Sequence, residues 1–251
     1  MTSYDELAEV YEWLISDAKL TPAAFAAAFA DVIGVLPPNA RVLDCSCGTG
    51  QLAVGLAGLG MQVVATDASA AMVGRTQSLA EGAGASVSTI RADWEELPDH
   101  LEDTTFDMVF CVGNSLHHAE GVRGRVAALE SMARLLRSGG RLVLASRNWE
   151  LVRAKGSRLD IGERVVHRAG RDGVVIYRWE IAPSWEQEHR IEIAVARLGA
   201  DGTVDVCSEL LSSWPYRHDE LVSELRGVGL TTETDTFDPS AENYVVVATK
   251  E

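Results

Sequence analysis

The chain has 251 residues, 47% apolar and 24% charged, with a net charge of -15 from 22 basic and 37 acidic side chains. That length suits one large α/β domain or a core with an inserted lobe. The acidity repels phosphate backbones and argues against nucleic acid as substrate. No stretch reaches the roughly 20 apolar residues of a membrane span, so no membrane partner is expected. The acidic opening MTSYDELAEVYEW lacks the basic and then apolar pattern of a secretory leader. Cys45, Cys47, Cys111 and Cys207 show no metal or disulfide spacing, so reduced thiols, no metal and a cytoplasmic location are expected.

Residues 4–18 place Leu7, Val10, Tyr11, Leu14 and Ile15 at the spacing of an amphipathic helix. Thr21 and Pro22 are an N-cap and first-turn pair, predicting a helix to about Ile33. Pro37 and Pro38 stop it ahead of a strand over 41–45. The stretch RVLDCSCGTGQLA, from Arg41 to Ala53, then reads as strand, tight turn and helix N-terminus. Gly48 and Gly50 permit unusual backbone angles and close approach of a ligand, and the N–H groups of the next helix face the same space. Further strands are predicted over 61–66, 87–91, 106–112 and 141–145, with helices over 51–58, 69–79 and 122–136 between them.

Strand–helix alternation is the pattern of a parallel sheet covered on both faces, in which ligands bind beyond the carboxyl ends of the strands. Asp44, Asp67, Asp93, Asn114 and Arg147 therefore converge on one edge. From about Glu163 to Trp214 the runs VVIYRWEI, RIEIAVARL and VDVCSELLSSW alternate as antiparallel hairpins do, predicting a lobe over the strand ends. A helix over 218–227 and strands near 230–237 and 244–249 return to the core and end in a hairpin. Gly48 to Ala53 also fits a dinucleotide fingerprint. Against a nicotinamide cofactor, the turn after Asp44 is long, and no later stretch offers a hydride-transfer partner.

Taken together, VLDCSCGTGQLA, VVATDASAAMV, IRADWEEL, FDMVFCVGNSLHH and LLRSGGRLVLASRNW resemble the class I S-adenosylmethionine-dependent methyltransferases, in order over residues 41–149. The resemblance implies a doubly wound, mostly parallel seven-stranded sheet (a Rossmann-like methyltransferase fold) with N-terminal helices and an inserted antiparallel β lobe. Residues 1–150 would carry the helices and cofactor-binding core, 151–215 the lobe, and 216–251 the return to the sheet. It further implies that S-adenosylmethionine is bound with Asp44 orienting its amino group and Asp67 taking both ribose hydroxyls. Asp93 and Trp94 would meet the adenine, while Cys45, Gly48, Gly50, Ala68, Met72 and Cys111 complete the cofactor surface. S-adenosylhomocysteine would be the product.

GNSLHH and SRNWE, with ADW, the lobe and SSWPY, are similar to the glycine N-methyltransferase branch. That similarity implies Asn114 and Arg147 on the carboxylate of a small amino-acid substrate, a planar fork with a neutral donor beside it. It places Trp214 and Tyr4 in the substrate pocket and makes His118, or His117, the assistant in proton removal. Trp149 and Trp214 stand where relatives tend to have tyrosine, and near the N-terminus only Lys19 stands close to where relatives use an arginine for the cofactor carboxylate. The expected reaction is in-line methyl transfer to an amine. The alternatives are an O-methyltransferase with His118 as essential base and a non-catalytic cofactor-binding protein. A homo-oligomer fits either enzyme.

Overall fold

Apolar runs that end in small or polar residues set the core strands, and the sheet they form is parallel because each is followed by a helical return. The computed structural model describes residues 4–102 and 104–251; residues 1–3, the start of the acidic opening stretch, and Asp103 lie outside the described residues. Helices α1 (Pro22–Ala27) and α2 (Ala30–Ile33) precede strand β1 (Arg41–Asp44). Then come α3 (Gln51–Gly58), β2 (Gln62–Asp67), α4 (Ala70–Ala83), β3 (Val87–Arg91), α5 (Leu97–His100), β4 (Phe106–Cys111), α6 (Gly121–Leu135), β5 (Leu136–Arg147) and α7 (Trp149–Lys155). The lobe holds β6 (Arg158–Ile161), β7 (Val166–Arg168), β8 (Arg171–Glu180), β9 (His189–Leu198) and β10 (Val204–Ser213). Helix α8 (His218–Gly227), β11 (Leu230–Asp235) and β12 (Asn243–Lys250) complete the chain.

The main sheet is seven-stranded, in the order β11-β12-β5-β4-β1-β2-β3. β4 lies at its centre, and β1 beside it is parallel to β2 with Val42 opposite Val63 and to β4 with Val42 opposite Met108. Only the final hairpin departs from the parallel arrangement: β12 runs antiparallel to both β5 and β11. The order reverses between β1 and β4, and the chain ends of these two strands open the crevice where such sheets bind ligands. The lobe is a second, antiparallel sheet in the order β10-β9-β8-β6, with β7 on β8.

Three expected elements differ. The residues over 4–18 form short 3-10 turns, Leu7–Glu9, Tyr11–Trp13 and Asp17–Lys19, rather than an amphipathic α-helix. Leu7, Val10 and Trp13 are buried, a spacing of three that matches one residue per 3-10 turn. The α1–α2 pair is one interrupted helix, capped as expected by Thr21, whose Oγ1 accepts the Ala24 N–H at 3.3 Å. Ser138, Gly139 and Gly140 do not lie outside the strand: β5 begins at Leu136 opposite Phe106 and resumes with Arg141 opposite Met108, so the intervening residues bulge out of register. A left-handed Gly139 (φ 71°) makes that bulge possible.

The N-terminal turns act as a strap across the strand ends. Arg75 pairs with Glu12 at 3.2 Å and the Ser69 hydroxyl donates to Asp5 at 2.5 Å, tying the strap to α4. On the lobe side, Arg168 donates to the carbonyls of Glu12 (3.1 Å) and Ile15 (2.9 Å) and pairs with Asp17 at 2.8 Å. Trp13 packs against the bare face of Gly173, where a Cβ would stand only 2.6 Å from the indole. Sequence periodicity alone does not reveal such a strap, because both of its faces are covered.

Candidate active site

β1 and β2 deliver carboxylates to the crevice. Asp44 ends β1 fully buried, with Oδ1 lacking any hydrogen-bond partner. Burial raises its pKa from the ordinary carboxylate range to about 7, against the lowering effect of the Ser46 N–H. Asp67, at the end of β2, accepts from the Gly48 N–H and the Ser69 N–H, each at 3.0 Å. Burial also raises Asp67, and those two backbone donors oppose the shift. The N–H of Gly48 is thus committed to holding the loop rather than free for a ligand.

The two loop glycines do different work. Gly48 (φ 52°) lies under the Tyr11 ring, which a Cβ would touch at an ordinary 3.6 Å. Gly50 (φ 90°) would place a Cβ 2.9 Å from Thr76. Its bare face admits helix α4, so close packing of helix on turn, and not close approach of a ligand, requires glycine there. Met72 and Cys111 are likewise packed inside, each 1% exposed, and neither lines a crevice cavity. Both were expected on the cofactor surface; the Met72 N–H instead donates to the helix-capping Ser69 Oγ at 3.1 Å.

Three adjoining cavities occupy the crevice. One of about 460 Å³ is lined by Asp44, Gly48, Gln51, Asn114, Tyr11 and Lys19. A second, about 150 Å³, is lined by Asn114, Arg147, His117, Tyr177, Tyr4 and Tyr11, among others. The third, about 40 Å³, lies between Cys45, Asp67, Ala68, Trp94, His118 and Tyr4. Their linings overlap at Tyr4, Tyr11 and Asn114, so the strap tyrosines divide one continuous space. Trp94 is fixed by donating its indole N–H to Cys45 O at 2.7 Å, and Asp93, beside it, keeps a buried Oδ1 without a partner.

Arg147 is set apart from the other arginines. Burial lowers its pKa, and its Nε has no hydrogen-bond partner. Among the described residues no carboxylate pairs with it: Glu242, the acid that acts on it through space, pairs with Lys155 at 3.1 Å. Its guanidinium lies over the Trp179 ring at 5.0 Å. Asn114 stands beside it in a left-handed conformation (φ 65°), a geometry asparagine tolerates better than most residues.

The histidines differ from expectation. His118 Nε2 accepts from the Tyr4 hydroxyl at 2.7 Å, while Nδ1 donates to Ser212 O at 2.8 Å. With both nitrogens engaged and its pKa lowered by burial to about 4, His118 is a neutral positioner of Tyr4 and a poor proton acceptor. The His117 ring lies tilted against it, with centroids 4.1 Å apart; His117 is also buried, burial lowers its pKa, and its Nε2 has no partner.

Trp214 does not join the Arg147 cavity. It lines an acidic groove of about 670 Å³ with Asp93, Glu120, Glu188 and Ser212, which adjoins the 40 Å³ cavity at Trp94 and His118 and shares no lining residue with the Arg147 cavity. Alternate residues of a strand face opposite sides: Leu211 reaches the Arg147 cavity, whereas Ser212 and, beyond the strand end, Trp214 face the groove. The residues that do wall the Arg147 cavity from the lobe are Tyr177, Ile191, Ile193 and Leu211. The alternation in RIEIAVARL signalled that Ile191 and Ile193 share a face, but not which element they face.

A seven-stranded sheet with its last strand antiparallel, acids at the ends of the first two strands and a glycine turn between them define the class I methyltransferase architecture. In its residues 42–140 and in its fold the chain is similar to the S-adenosylmethionine-dependent methyltransferases. Residues 42–140 match a family described as a methyltransferase domain. The glycine/sarcosine N-methyltransferase of Aphanothece halophytica is 31% identical over 116 residues, covering 46% of this chain and 43% of that one. The glycine N-methyltransferase of Mus musculus is 31% identical over 163 residues, covering 60% and 55%. The chain thus spans about half the length of the curated relatives it matches. In fold it is similar to CalS10, an amino pentose methyltransferase of Micromonospora echinaspora, with a TM-score of 0.77, 21% identity and coverage of 100% and 99%. Among the described residues no helix is long and apolar enough to cross a membrane.

Proposed function

We propose that the protein moves a methyl group from S-adenosylmethionine to the amine of a small molecule that carries a carboxylate. The observation that carries this reading is Arg147, a half-buried cation with no acid partner among the described residues and with its Nε buried and unpartnered, beside Asn114 in a cavity of about 150 Å³. A charge buried without a partner is costly, and a substrate carboxylate supplies the partner. Arginine takes it through two parallel N–H donors, and Asn114 adds a third.

The crevice residues fit the cofactor. Asp44, buried with an unsatisfied oxygen, would hold the ammonium group, and Lys19, on the same 460 Å³ cavity, the carboxylate. Asp67 retains acceptor capacity for a cis-diol after its two backbone bonds. Asp93 and Trp94 would meet the adenine. When bound, S-adenosylmethionine supplies a methyl group on a positively charged sulfur. This chain's residues align the acceptor, exclude water and hold the anionic end of the substrate; the amine needs no strong base once neutral.

Two measurements separate this reading from its alternatives. A screen of glycine and sarcosine beside amines lacking a carboxylate, with product mass detection, should yield methylated acids only. His118→Gln should lower kcat by less than about tenfold, because a neutral amine brings its own lone pair; loss by about 100-fold or more would favour O-transfer with His118 as general base.

The pH dependence of cofactor binding follows from Asp44. Its folded pKa of about 7 lies above its ordinary 3.8, so the folded protein keeps a proton that the unfolded chain releases between those values. Through this group the free protein loses stability as pH rises across that window. A bound ammonium favours the ionised form, so affinity for S-adenosylmethionine should rise about tenfold from about pH 6 to about pH 8 with proton release. Calorimetry in buffers of different ionisation enthalpy measures that proton, and Asp44→Asn should abolish it. A flat profile in the unaltered protein excludes the ammonium role.

A further inference from the structure

The Arg147 cavity has two chemically different halves. The core contributes Arg147 and Asn114. The lobe contributes the inward face of its pleated sheet, with Ile191 opposite both Trp179 and Leu211, and Ile193 opposite Tyr177. Ile191, Ile193 and Leu211 are each buried, at 3%, 7% and 1% exposure, and all three line the cavity with Leu14 of the strap.

A cation alone would anchor glycine, but glycine carries nothing to set against an aliphatic wall. An apolar surface left facing a void forfeits its dispersion contacts, and the same surface filled by a matching alkyl group gains from its removal from water. The volume of this compartment sets the scale of the part of the substrate it holds. A space of about 150 Å³ takes a group about the size of benzene, comparable to a small amino acid, and its lining is mixed: Ile191, Ile193 and Leu211 face it beside Arg147, Asn114 and His117.

We propose that the methyl acceptor is an α-amino acid with an aliphatic side chain of about one to three carbons, lying against Ile191, Ile193 and Leu211 while Arg147 and Asn114 grip its carboxylate. This rests on the carboxylate-anchor reading of Arg147. The lobe wall selects the side chain and the core arginine selects the acid, so the two selections are independently measurable.

The test compares kcat/KM for glycine, sarcosine, L-alanine, L-2-aminobutyrate, L-valine and L-phenylalanine. Each acid is also titrated into protein saturated with S-adenosylhomocysteine. The best aliphatic acid should exceed glycine by at least about tenfold, since one methylene in a matched pocket is worth about 10- to 200-fold, and phenylalanine should be excluded. Ile193→Ser should lower the valine-to-glycine preference by about tenfold or more. Leu211→Ala repeats the measurement from the neighbouring strand should the serine variant fail to fold. Equal or better use of glycine or sarcosine overturns the aliphatic assignment and leaves the carboxylate reading intact. Failure of every acid to bind or react overturns both.

Discussion

Arg147→Ala should raise the acceptor KM by about two orders of magnitude while moving the Kd for S-adenosylmethionine less than about twofold. Removing one partner of a buried, hydrogen-bonded charge pair costs about 2–5 kcal/mol, and tenfold corresponds to about 1.4 kcal/mol. The cofactor is spared because Arg147 lines the 150 Å³ cavity and not the larger one bearing Asp44. Equal effects on both constants would remove the anchor role. A second readout has the opposite sign. In the ligand-free protein the guanidinium is half-buried, with Nε buried and no anion beside it among the described residues, so Arg147→Met, similar in reach and apolar against Trp179, should raise stability. The expected gain of about 1–2 kcal/mol corresponds to a Tm increase of about 2–8 °C for a chain of this size. A residue serving only the fold would show the reverse.

Asp67→Ala should weaken S-adenosylmethionine binding by about 100-fold or more and lower Tm at the same time. Its carboxylate already accepts from Gly48 and Ser69 at 3.0 Å each, and hydrogen bonds to a charged group contribute about 1.5–3 kcal/mol. Alanine leaves both backbone donors without that acceptor and removes the acceptors proposed for the ribose. Asp67→Asn separates the two roles. Its side chain keeps one acceptor oxygen but turns an amide donor toward one of two N–H groups, so the loop and the diol cannot both be served. Isothermal titration gives the Kd and calorimetric melting the Tm. A loss of Tm without a loss of affinity would make Asp67 a loop fastener alone.

The core was readable because each segment repeats one local logic: a short apolar run, a small or acidic strand end, then a helical return. Asp44 and Asp67 were visible for that reason, and Ser69 and Gly84 punctuate α4 as their residue types suggest, with Gly84 left-handed at φ 63°. The strap was not readable. Its apolar residues satisfy two periodicities, and only contact with both β10 and α4 decides between a 3.6- and a 3-residue turn. Trp214 was misplaced because a residue beyond a strand end belongs to whichever face the register assigns it, and register is long-range information. The isolation of Arg147 is equally invisible in sequence. It depends on Glu242 being drawn to Lys155, which is 87 residues away along the chain.

The lobe leaves the core at α7 and returns at α8, and the two points are joined: the His218 N–H donates to Glu150 at 2.8 Å. The Asn148 N–H also meets Glu242 O at 2.9 Å, fastening α7 to the final hairpin. Departure and return are therefore closed by the core itself. Such a joint makes the lobe an exchangeable cassette, tolerant of replacement the way domain insertions are when their ends lie close. Arg147 stays with the recipient core while Tyr177, Ile191, Ile193 and Leu211 travel with the graft. Transplanted lobes should consequently change the side chain accepted while keeping the proposed Arg147 grip on an acid.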